Sequence, residues 1–549
     1  MKAPAPRRGW WLELLLLALV IAFVAVIRIR LLDVPLERDE GEYAYIGRMM
    51  LEGVPPYAQA YNMKFPGIYA CYAAVLALFG PSGRGVHLGL LLVNAAAIVL
   101  VFLLGRRLLG RLGALAAAIG YALLALSPSV LGLAAHATHF VVVPALAGIL
   151  VLLGARASGG VGSFFAAGVL LGLAPMIKQH GAAFTMFGLA VVAADTWRAG
   201  PASGAADVAQ RPRLARLAAY LLGAALPIAL TGLALAAAGV FGRFWFWTIS
   251  YAAQYIGERS LPRAGAALTE ELPQLLAPSP LLWTLAAGGL IALWRRPADR
   301  PRARFLTALA AFSGLAVVPG FYFRAHYFVL VLPAVALLAG AAVELAIAGV
   351  AARRHTAPLA PALAVLLVAL PVGLTLWNER AIWFELPADR VARTIYGTNP
   401  FPEALAIGRY LAAQSAPADR IAVVGSEPEI YFYSGRRAAT GYVYTYGLVE
   451  AQPYSRRMQE EMIREIGAAR PRFIVLVLVP QSWQLSPDSD THILLWTLDE
   501  VKQHYAVVGV ADIPEQGETV YRWGAEAATY ASRSPYRVLT YRRRDGATP

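Results

Sequence analysis

The sequence predicts a polytopic α-helical membrane protein, with about eleven transmembrane helices and a C-terminal α/β domain outside the membrane. Of its 549 residues, 58% are hydrophobic and only 15% are charged, whereas a typical soluble chain carries about 25% charge. Apolar runs of about 20 residues, the length that a helix needs to cross a bilayer, recur between residues 11 and 377. Beyond residue 380 the sequence becomes polar and alternates short β-rich runs with a helical stretch.

The predicted spans are separated by short loops that carry clusters of basic residues. If the N-terminus is cytoplasmic, every one of these clusters falls on the cytoplasmic side, as the positive-inside rule requires. An odd number of spans then places the C-terminal segment outside. The predicted spans are residues 11–31, 86–105, 112–127, 139–154, 162–177, 181–195, 215–240, 279–294, 304–321, 327–348 and 358–378. The basic clusters are Arg106, Arg107 and Arg111; Arg156; Arg198, Arg211 and Arg213; Arg295, Arg296, Arg300 and Arg302; and Arg353 and Arg354.

The first apolar run is expected to remain as an uncleaved span. Arg7 and Arg8 precede it as in a signal peptide, but no small-residue cleavage site follows, and Arg28 and Arg30 come directly after it.

The net charge of +14 is explained by the loop arginines rather than by nucleic-acid binding, because no aromatic and basic groove accompanies it. Cys71 is the only cysteine, which excludes an intramolecular disulfide, a thiolate metal site and a redox pair.

Two domains are predicted, a membrane domain over residues 1–379 and an outer α/β domain over residues 380–549. In the second, β-rich runs at residues 421–424 and 473–479 flank a helical stretch at residues 454–469. Gly425 follows the first run, but no G-x-G-x-x-G motif is present, so nucleotide binding is not predicted. An outer loop at about residues 241–278 opens with aromatic residues suited to the membrane interface.

The first outer loop, residues 33–85, carries the candidate chemistry. Asp39, Glu40 and Glu42 follow the first span directly, where carboxylates are costly unless they are solvated, paired or used. The stretch to Glu52 is predicted to be a helix that residues 53–56 (GVPP) terminate. Asp39 with Glu42 three residues later also fits a capping box, and a capping residue can still be catalytic.

Lys64 precedes an apolar helix later in this loop. A lysine there is placed to meet a lipid phosphate at the outer surface. The alternative is a lysine that extends its ammonium group to the interface without binding a ligand.

Several motifs together resemble the GT-C glycosyltransferases. The closest groups are the bacterial dolichyl-phosphate-mannose-protein mannosyltransferase-like family and the lipid A aminoarabinose transferases. The matching residues are 38–43 (RDEGEY), 50–53 (MLEG), 64–66 (KFP), 79–80 (FG), 323–328 (FRAHYF) with Pro333, 421–431 (IAVVGSEPEIY) and 434–437 (SGRR). The resemblance covers most of the chain and implies a GT-C fold.

The resemblance also implies a mechanism. In these families a first-loop aspartate activates the acceptor hydroxyl, which corresponds to Asp39, with Glu40 as a second catalytic candidate. Lys64, Arg324 and Lys178 are the candidates for binding the donor phosphate. Four residues are expected to support the site: Glu42, Tyr43, His326 and Tyr327. Chemistry agrees, because an attacking hydroxyl must lose its proton and cations stabilise a phosphate leaving group.

The chain departs from the family pattern after the third predicted span. Relatives usually have a second acidic residue there, whereas residues 135–140 read AHATHF. His136 and His139 are spaced to share a helix face and could bind a divalent metal ion, or could simply form hydrogen bonds. No other cofactor is predicted.

The leading hypothesis is therefore a transferase of the bacterial inner membrane, with the N-terminus cytoplasmic. It takes a polyprenyl-phosphate-linked sugar and passes the sugar to a glycan, lipid or protein acceptor, among membrane lipids and without nucleic acid. The alternatives are a transporter or flippase of the same lipid and a non-catalytic scaffold. The absence of an internal repeat and the outer-face position of the charges disfavour the transporter.

Overall fold

The computed structural model describes residues 10–197, 206–257 and 261–544. Arg7, Arg8 and Arg198, named in the topology prediction, lie outside the described residues. The chain divides into two compact units. The first unit consists of residues 1–30, 87–234 and 256–385, and the second of residues 31–86, 235–255 and 386–549. The domain boundary at residue 380 stays a prediction.

The helices and strands are labelled in chain order. Up to residue 380 the α-helices are α1 (Trp10–Arg30), α2 (Arg38–Leu51), α3 (Pro66–Phe79), α4 (Gly83–Leu108), α5 (Arg111–Leu124), α6 (Ala137–Ser158), α7 (Val161–Ile177), α8 (Ala182–Trp197), α9 (Ala206–Ala237), α10 (Phe241–Trp245), α11 (Ala252–Gly257), α12 (Leu261–Leu276), α13 (Pro280–Arg295), α14 (Arg300–Leu315), α15 (Leu332–Ala351) and α16 (Ala360–Arg380). They are followed by α17 (Ala388–Tyr396), α18 (Phe401–Gln414), α19 (Glu429–Ser434), α20 (Tyr446–Val449), α21 (Ser455–Ala469), α22 (Pro480–Trp483), α23 (His492–His504) and α24 (Ala525–Thr529). The strands are β1 (Arg420–Val424), β2 (Arg437–Ala438), β3 (Phe473–Leu478), β4 (Tyr505–Asp512), β5 (Val520–Trp523) and β6 (Arg537–Arg543).

Every predicted span coincides with a helix that lies wholly or partly in the first unit. In the described part of the chain, six helices are long and apolar enough to cross a membrane, or up to seven if a pair bent by 104° at residues 276–280 is one span. Three further apolar helices, α3, α5 and α7, are shorter. The protein is thus a helical membrane protein, and the number of eleven spans stays a prediction.

Small residues bring the helices of the first unit into close contact. A Cβ atom added at Gly340 of α15 would lie 2.3 Å from the carbonyl oxygen of Gly113 in α5, and one added at Gly289 of α13 would lie 2.0 Å from that of Leu338. Helices in a bilayer gain no hydrophobic energy from association, so such close backbone packing is a main source of their stability.

The second unit contains a six-stranded mixed sheet in the order β2-β1-β3-β6-β4-β5. β1 pairs in parallel with β2 and β3, while β6 pairs antiparallel with β3 and β4. β1, β3 and α21 confirm the strands and the helix predicted near these positions. The remaining strands were not predicted; β4, β5 and β6 have a mixed burial pattern without a regular alternation.

Glycines let α2 approach its neighbours in the second unit. A Cβ atom at Gly47 would lie 2.9 Å from the backbone nitrogen of Ala73 in α3. A Cβ atom at Gly41 would lie 2.4 Å from the Cβ of Glu429, the first residue of α19. α2 is therefore held between α3 and α19, which fixes the position of the acidic residues at its N-terminus.

Candidate active site

The N-terminus of α2 is capped by Glu37. The Glu37 carboxylate accepts a hydrogen bond from the Glu40 backbone N–H (2.9 Å), and the Glu40 carboxylate accepts one from the Glu37 N–H (3.1 Å). This reciprocal pair is a capping box. The sequence interpretation that paired Asp39 with Glu42 as the cap was wrong by two residues, because the helix begins at Arg38. Asp39 is thereby available for other contacts, and the catalytic assignment of Glu40 stays a prediction.

Lys64 joins two of the predicted carboxylates. Its Nζ donates to Asp39 Oδ1 at 2.7 Å and to Glu42 Oε2 at 2.6 Å. The second oxygen of Glu42 accepts a hydrogen bond from the Tyr69 hydroxyl at 2.8 Å. The side chain of Glu42 is fully buried, whereas those of Asp39 and Lys64 are 14% and 20% exposed. Solvent-sized groups can therefore reach Asp39 but not Glu42.

Local structure places Lys64 in this position. It precedes Pro66, the first residue of α3, where a fixed φ favours helix initiation. The hydroxyl of Tyr57 donates to the Lys64 carbonyl oxygen at 2.6 Å, and the ring of Tyr57 packs against those of Tyr69 and Phe244. The backbone of Lys64 is thus anchored while its ammonium group points to the carboxylates.

Two tyrosines complete the surroundings of Asp39. The hydroxyl of Tyr444 donates to Asp39 Oδ1 at 2.7 Å, and that of Tyr43 lies 3.4 Å from Oδ2. The Lys64 ammonium lies 4.7 Å from the centre of the Tyr43 ring and 5.0 Å from that of Tyr444. Both rings face the cation, an arrangement that is favourable where the cation is partly desolvated.

The charged groups of this cluster shift one another's pKa values. Burial raises the pKa of Glu42, and the nearby Lys64 ammonium opposes that shift. Burial by itself would lower the pKa of Lys64, but the carboxylates of Asp39 and Glu42 outweigh it and raise the pKa above its usual value. Lys64 is therefore a permanent cation at neutral pH, shared by two acidic groups.

Arg38 ties the start of α2 to the loop that follows β1. Its Nε donates to the Ser426 carbonyl oxygen at 2.5 Å, and Nη2 donates to Glu427 Oε1 at 3.0 Å. The guanidinium also lies over the rings of Phe401 and Tyr446, 5.4 and 5.2 Å from their centres. Arg38, the residue directly before Asp39, is therefore held by hydrogen bonds, by an ion pair and by two aromatic rings.

The loop that contains Tyr444 is held by a partly buried set of hydrogen bonds. The Tyr61 backbone N–H donates to the Gly441 carbonyl at 2.7 Å. Glu465 accepts from the Tyr61 hydroxyl (3.1 Å), the Gly441 N–H (2.9 Å) and the Thr440 hydroxyl (2.6 Å). The sequence analysis missed Tyr444. The three tyrosines spaced two apart in residues 442–446 were its only visible sign.

Other predicted residues lie together in the first unit. Lys178 follows α7, and its Nζ lies 3.3 Å from His326 Nε2 and 4.6 Å from the centre of the Tyr327 ring. His136, the residue before α6, stacks on His326 with ring centres 4.1 Å apart and planes within 10°. Three separate chain segments thus combine one lysine, two imidazoles and a tyrosine.

Arg324 and His139 have different surroundings. The Arg324 guanidinium lies 5.3 Å from the centre of the Tyr322 ring. His139 Nδ1 lies 3.4 Å from the side-chain nitrogen of Asn94. No cofactor is established by this geometry, and the metal site suggested at His136 and His139 stays a prediction.

Comparison with known proteins agrees with this architecture. Residues 64–201 match the family model of the dolichyl-phosphate-mannose-protein mannosyltransferases. No curated protein sequence matches the chain. Three solved structures described below are similar over nearly the whole of this chain, and the third of them is a larger protein.

The first is ArnT from Cupriavidus metallidurans bound to undecaprenyl phosphate, with 17% identity, a TM-score of 0.56, and coverage of 99% of this chain and 100% of that one. The second is the archaeal oligosaccharyltransferase AglB from Archaeoglobus fulgidus, in complex with an inhibitory peptide and a dolichol-phosphate. It has 12% identity, a TM-score of 0.53 and coverage of 94% and 75%. The third is the arabinofuranosyltransferase AftD from Mycobacteria, with 15% identity, a TM-score of 0.53 and coverage of 98% and 40%. Together with the family-model match, these similarities confirm the resemblance seen in the sequence motifs: the chain has the fold of the GT-C glycosyltransferases.

Proposed function

We propose that this protein is a glycosyltransferase that moves a monosaccharide from a polyprenyl-phosphate donor to an acceptor hydroxyl. The observation that carries the proposal is the cluster at the start of α2, where Asp39 is held by Lys64 and Tyr444 and remains partly accessible. Two proteins of the same fold are bound to undecaprenyl phosphate and to a dolichol-phosphate. Because fold alone does not define function, the site residues bear the argument.

The reaction that suits the cluster is a single displacement. The acceptor hydroxyl transfers its proton to the Asp39 carboxylate while its oxygen forms a bond to the anomeric carbon. The bond between that carbon and the phosphate oxygen breaks, and the electron pair leaves with the polyprenyl phosphate. This leaving group is already stable as an anion, so no general acid is required. Attack opposite the leaving group inverts the anomeric configuration.

Cations provide the electrostatic stabilisation of the leaving phosphate. An ammonium group has three donors, and Lys64 directs two of them to Asp39 and Glu42. We assign the third to a phosphate oxygen. Lys178 and Arg324 stay candidate phosphate ligands predicted from the sequence, and within the first unit His326 and Tyr327 lie beside Lys178.

The proposed site lies on the outer side of a bacterial inner membrane. In this arrangement the N-terminus is cytoplasmic, eleven helices cross the membrane and residues 380–549 are outside, because every basic cluster between spans then faces the cytoplasm. An alkaline phosphatase fusion after Pro549 is expected to be active. A well-expressed but inactive fusion would contradict the orientation and the span count together.

Direct measurement of transfer tests the activity. Membranes that contain the protein are incubated with a panel of radiolabelled polyprenyl-phosphate sugars, and label is followed into lipid, glycan and protein fractions. We expect label to leave the donor only when Asp39 is intact. Equal transfer by membranes that contain the Asp39→Asn protein would reject the assignment.

A further inference from the structure

A cavity at one end of the first unit is formed by the ends of four helices. It has a volume of about 520 Å³ and lies between the C-terminal turns of α6 and α8 and the N-terminal turns of α7 and α9. None of the residues assigned to transfer lines it. Three arginines and one aspartate contribute its charged groups: Arg156, Arg213, Arg216 and Asp195.

The single carboxylate is matched by one of the arginines. Arg156 Nε donates to Asp195 Oδ2 at 2.6 Å, and its Nη2 donates to Oδ1 at 2.9 Å. This two-pronged pair has no net charge. The other two cations of the lining, Arg213 and Arg216, lie in the first turns of the apolar stretch of α9.

Arg216 also has an unused donor. Its guanidinium lies 5.9 Å from the centre of the Phe164 ring, and among the described residues its buried Nε has no hydrogen-bond partner. A Cβ atom added at Gly159 would lie 2.8 Å from Arg216 Nη2, so a larger residue there would push the guanidinium away. A buried N–H without an acceptor is costly, and an anionic oxygen in the cavity would satisfy it.

Much of the remaining wall is apolar, and part of it belongs to helices that can span a membrane. Leu153 and Phe164 line the cavity, and α6 and α9 are among the helices long and apolar enough to cross a bilayer. Trp197, the last residue of α8, is exposed, as tryptophan commonly is at the membrane–water interface. The cavity thus combines cationic donors with apolar surface from helices of membrane-spanning length.

We propose that this cavity binds the phosphate headgroup of an anionic phospholipid. Arg213 and Arg216 hold the phosphate, and the acyl chains lie against the apolar wall. By the positive-inside rule this end of the unit faces the cytoplasm, where basic pockets between transmembrane helices bind anionic lipid headgroups. Free inorganic phosphate carries the same anionic oxygens, but it would gain nothing from the apolar wall.

Native mass spectrometry of the purified full-length protein tests this site. Phosphatidylglycerol and phosphatidylcholine are titrated separately, and we expect the wild-type protein to retain phosphatidylglycerol preferentially. The double variant Arg213→Ala/Arg216→Ala is expected to bind it roughly tenfold more weakly, since each charge-assisted hydrogen bond contributes enough for such a change. Ala157→Trp, which fills the cavity without changing charge, is expected to have a similar effect.

Two comparisons make the assignment refutable. The matched control Arg295→Ala/Arg300→Ala removes two exposed arginines from the same predicted face and lies outside the cavity. Equal loss of lipid in this control would show that general surface charge, not the cavity, binds the lipid. Displacement of phosphatidylglycerol by millimolar inorganic phosphate, or unchanged binding in the Ala157→Trp protein, would overturn the lipid assignment.

Discussion

Replacement of Asp39 by asparagine separates catalysis from folding in this protein. The volume hardly changes, and the amide oxygen can still accept hydrogen bonds from Lys64 and Tyr444, which reach Oδ1 at 2.7 Å each. The helix cap is untouched, because Glu37 and not Asp39 caps α2. The substitution removes the ion pair with Lys64 and weakens both hydrogen bonds, at a cost of roughly 1 kcal/mol in the free energy of unfolding.

The expected effect on transfer is much larger than the effect on stability. A positioned general base contributes roughly 10²–10⁴-fold to the rate, which corresponds to roughly 3–5 kcal/mol of activation free energy. We therefore expect a folded Asp39→Asn protein that binds the donor and transfers almost nothing. Transfer is measured with radiolabelled polyprenyl-phosphate sugars, and folding by thermal unfolding in detergent.

Glu52→Gln is the matched control. Glu52 caps the opposite end of α2 and pairs with Arg437 at 2.6 Å, so its loss also removes a carboxylate and an ion pair from the same helix. We expect this variant to keep its activity. If Asp39→Asn retained most of the wild-type rate, the assignment of Asp39 as the base would be rejected.

Substitutions at three further residues test the cluster and its surroundings. Lys64→Ala should weaken donor binding more than Lys64→Arg, since arginine keeps the cation. Lys64→Ala should also lower thermal stability, because it leaves the fully buried Glu42 without its cation. Equal donor binding by both variants would argue against a phosphate contact. Tyr444→Phe removes one hydrogen bond to Asp39 and should reduce kcat roughly tenfold with little change in KM, whereas an unaltered kcat would limit Tyr444 to a packing role. Burial, reinforced by a neighbouring carboxylate, raises the pKa of Glu429 well above 4.5. The folded protein therefore retains a proton that the unfolded chain loses, and the free energy of unfolding falls as the pH rises above 4.5. Glu429→Gln should therefore raise Tm at neutral pH, with an advantage that shrinks as the pH is lowered towards 4.5; a pH-independent difference would contradict this origin.

Local sequence pattern was sufficient for most of the helical architecture. Each predicted span coincides with a helix because a long apolar run can satisfy its backbone polar groups in a bilayer only by forming one. β1, β3 and α21 were likewise visible from continuous apolar runs and from helical periodicity. The antiparallel strands β4–β6 were not, since their mixed burial pattern leaves only a weak alternation.

The capping box of α2 could not be predicted from composition alone. Four acidic residues occur within residues 37–42, and two pairs at a spacing of three, Glu37 with Glu40 and Asp39 with Glu42, could have formed the capping box. The structure selects Glu37 with Glu40, which leaves Asp39 and Glu42 to Lys64. The close packing of α2 against α3 and α19 at Gly47 and Gly41 holds the helix in this position.

By itself, then, the sequence determined a helical membrane protein with a C-terminal sheet domain, and it marked Asp39 and Lys64 as candidates for the chemistry. Only the tertiary structure decided how the candidate site is assembled. Tyr444 reaches Asp39 across 405 positions of the chain, and Arg38 reaches Glu427 across 389. Short-range pattern reflects the backbone and burial preferences of neighbouring residues. Contacts between residues this far apart depend instead on how complete elements pack, which no local pattern encodes.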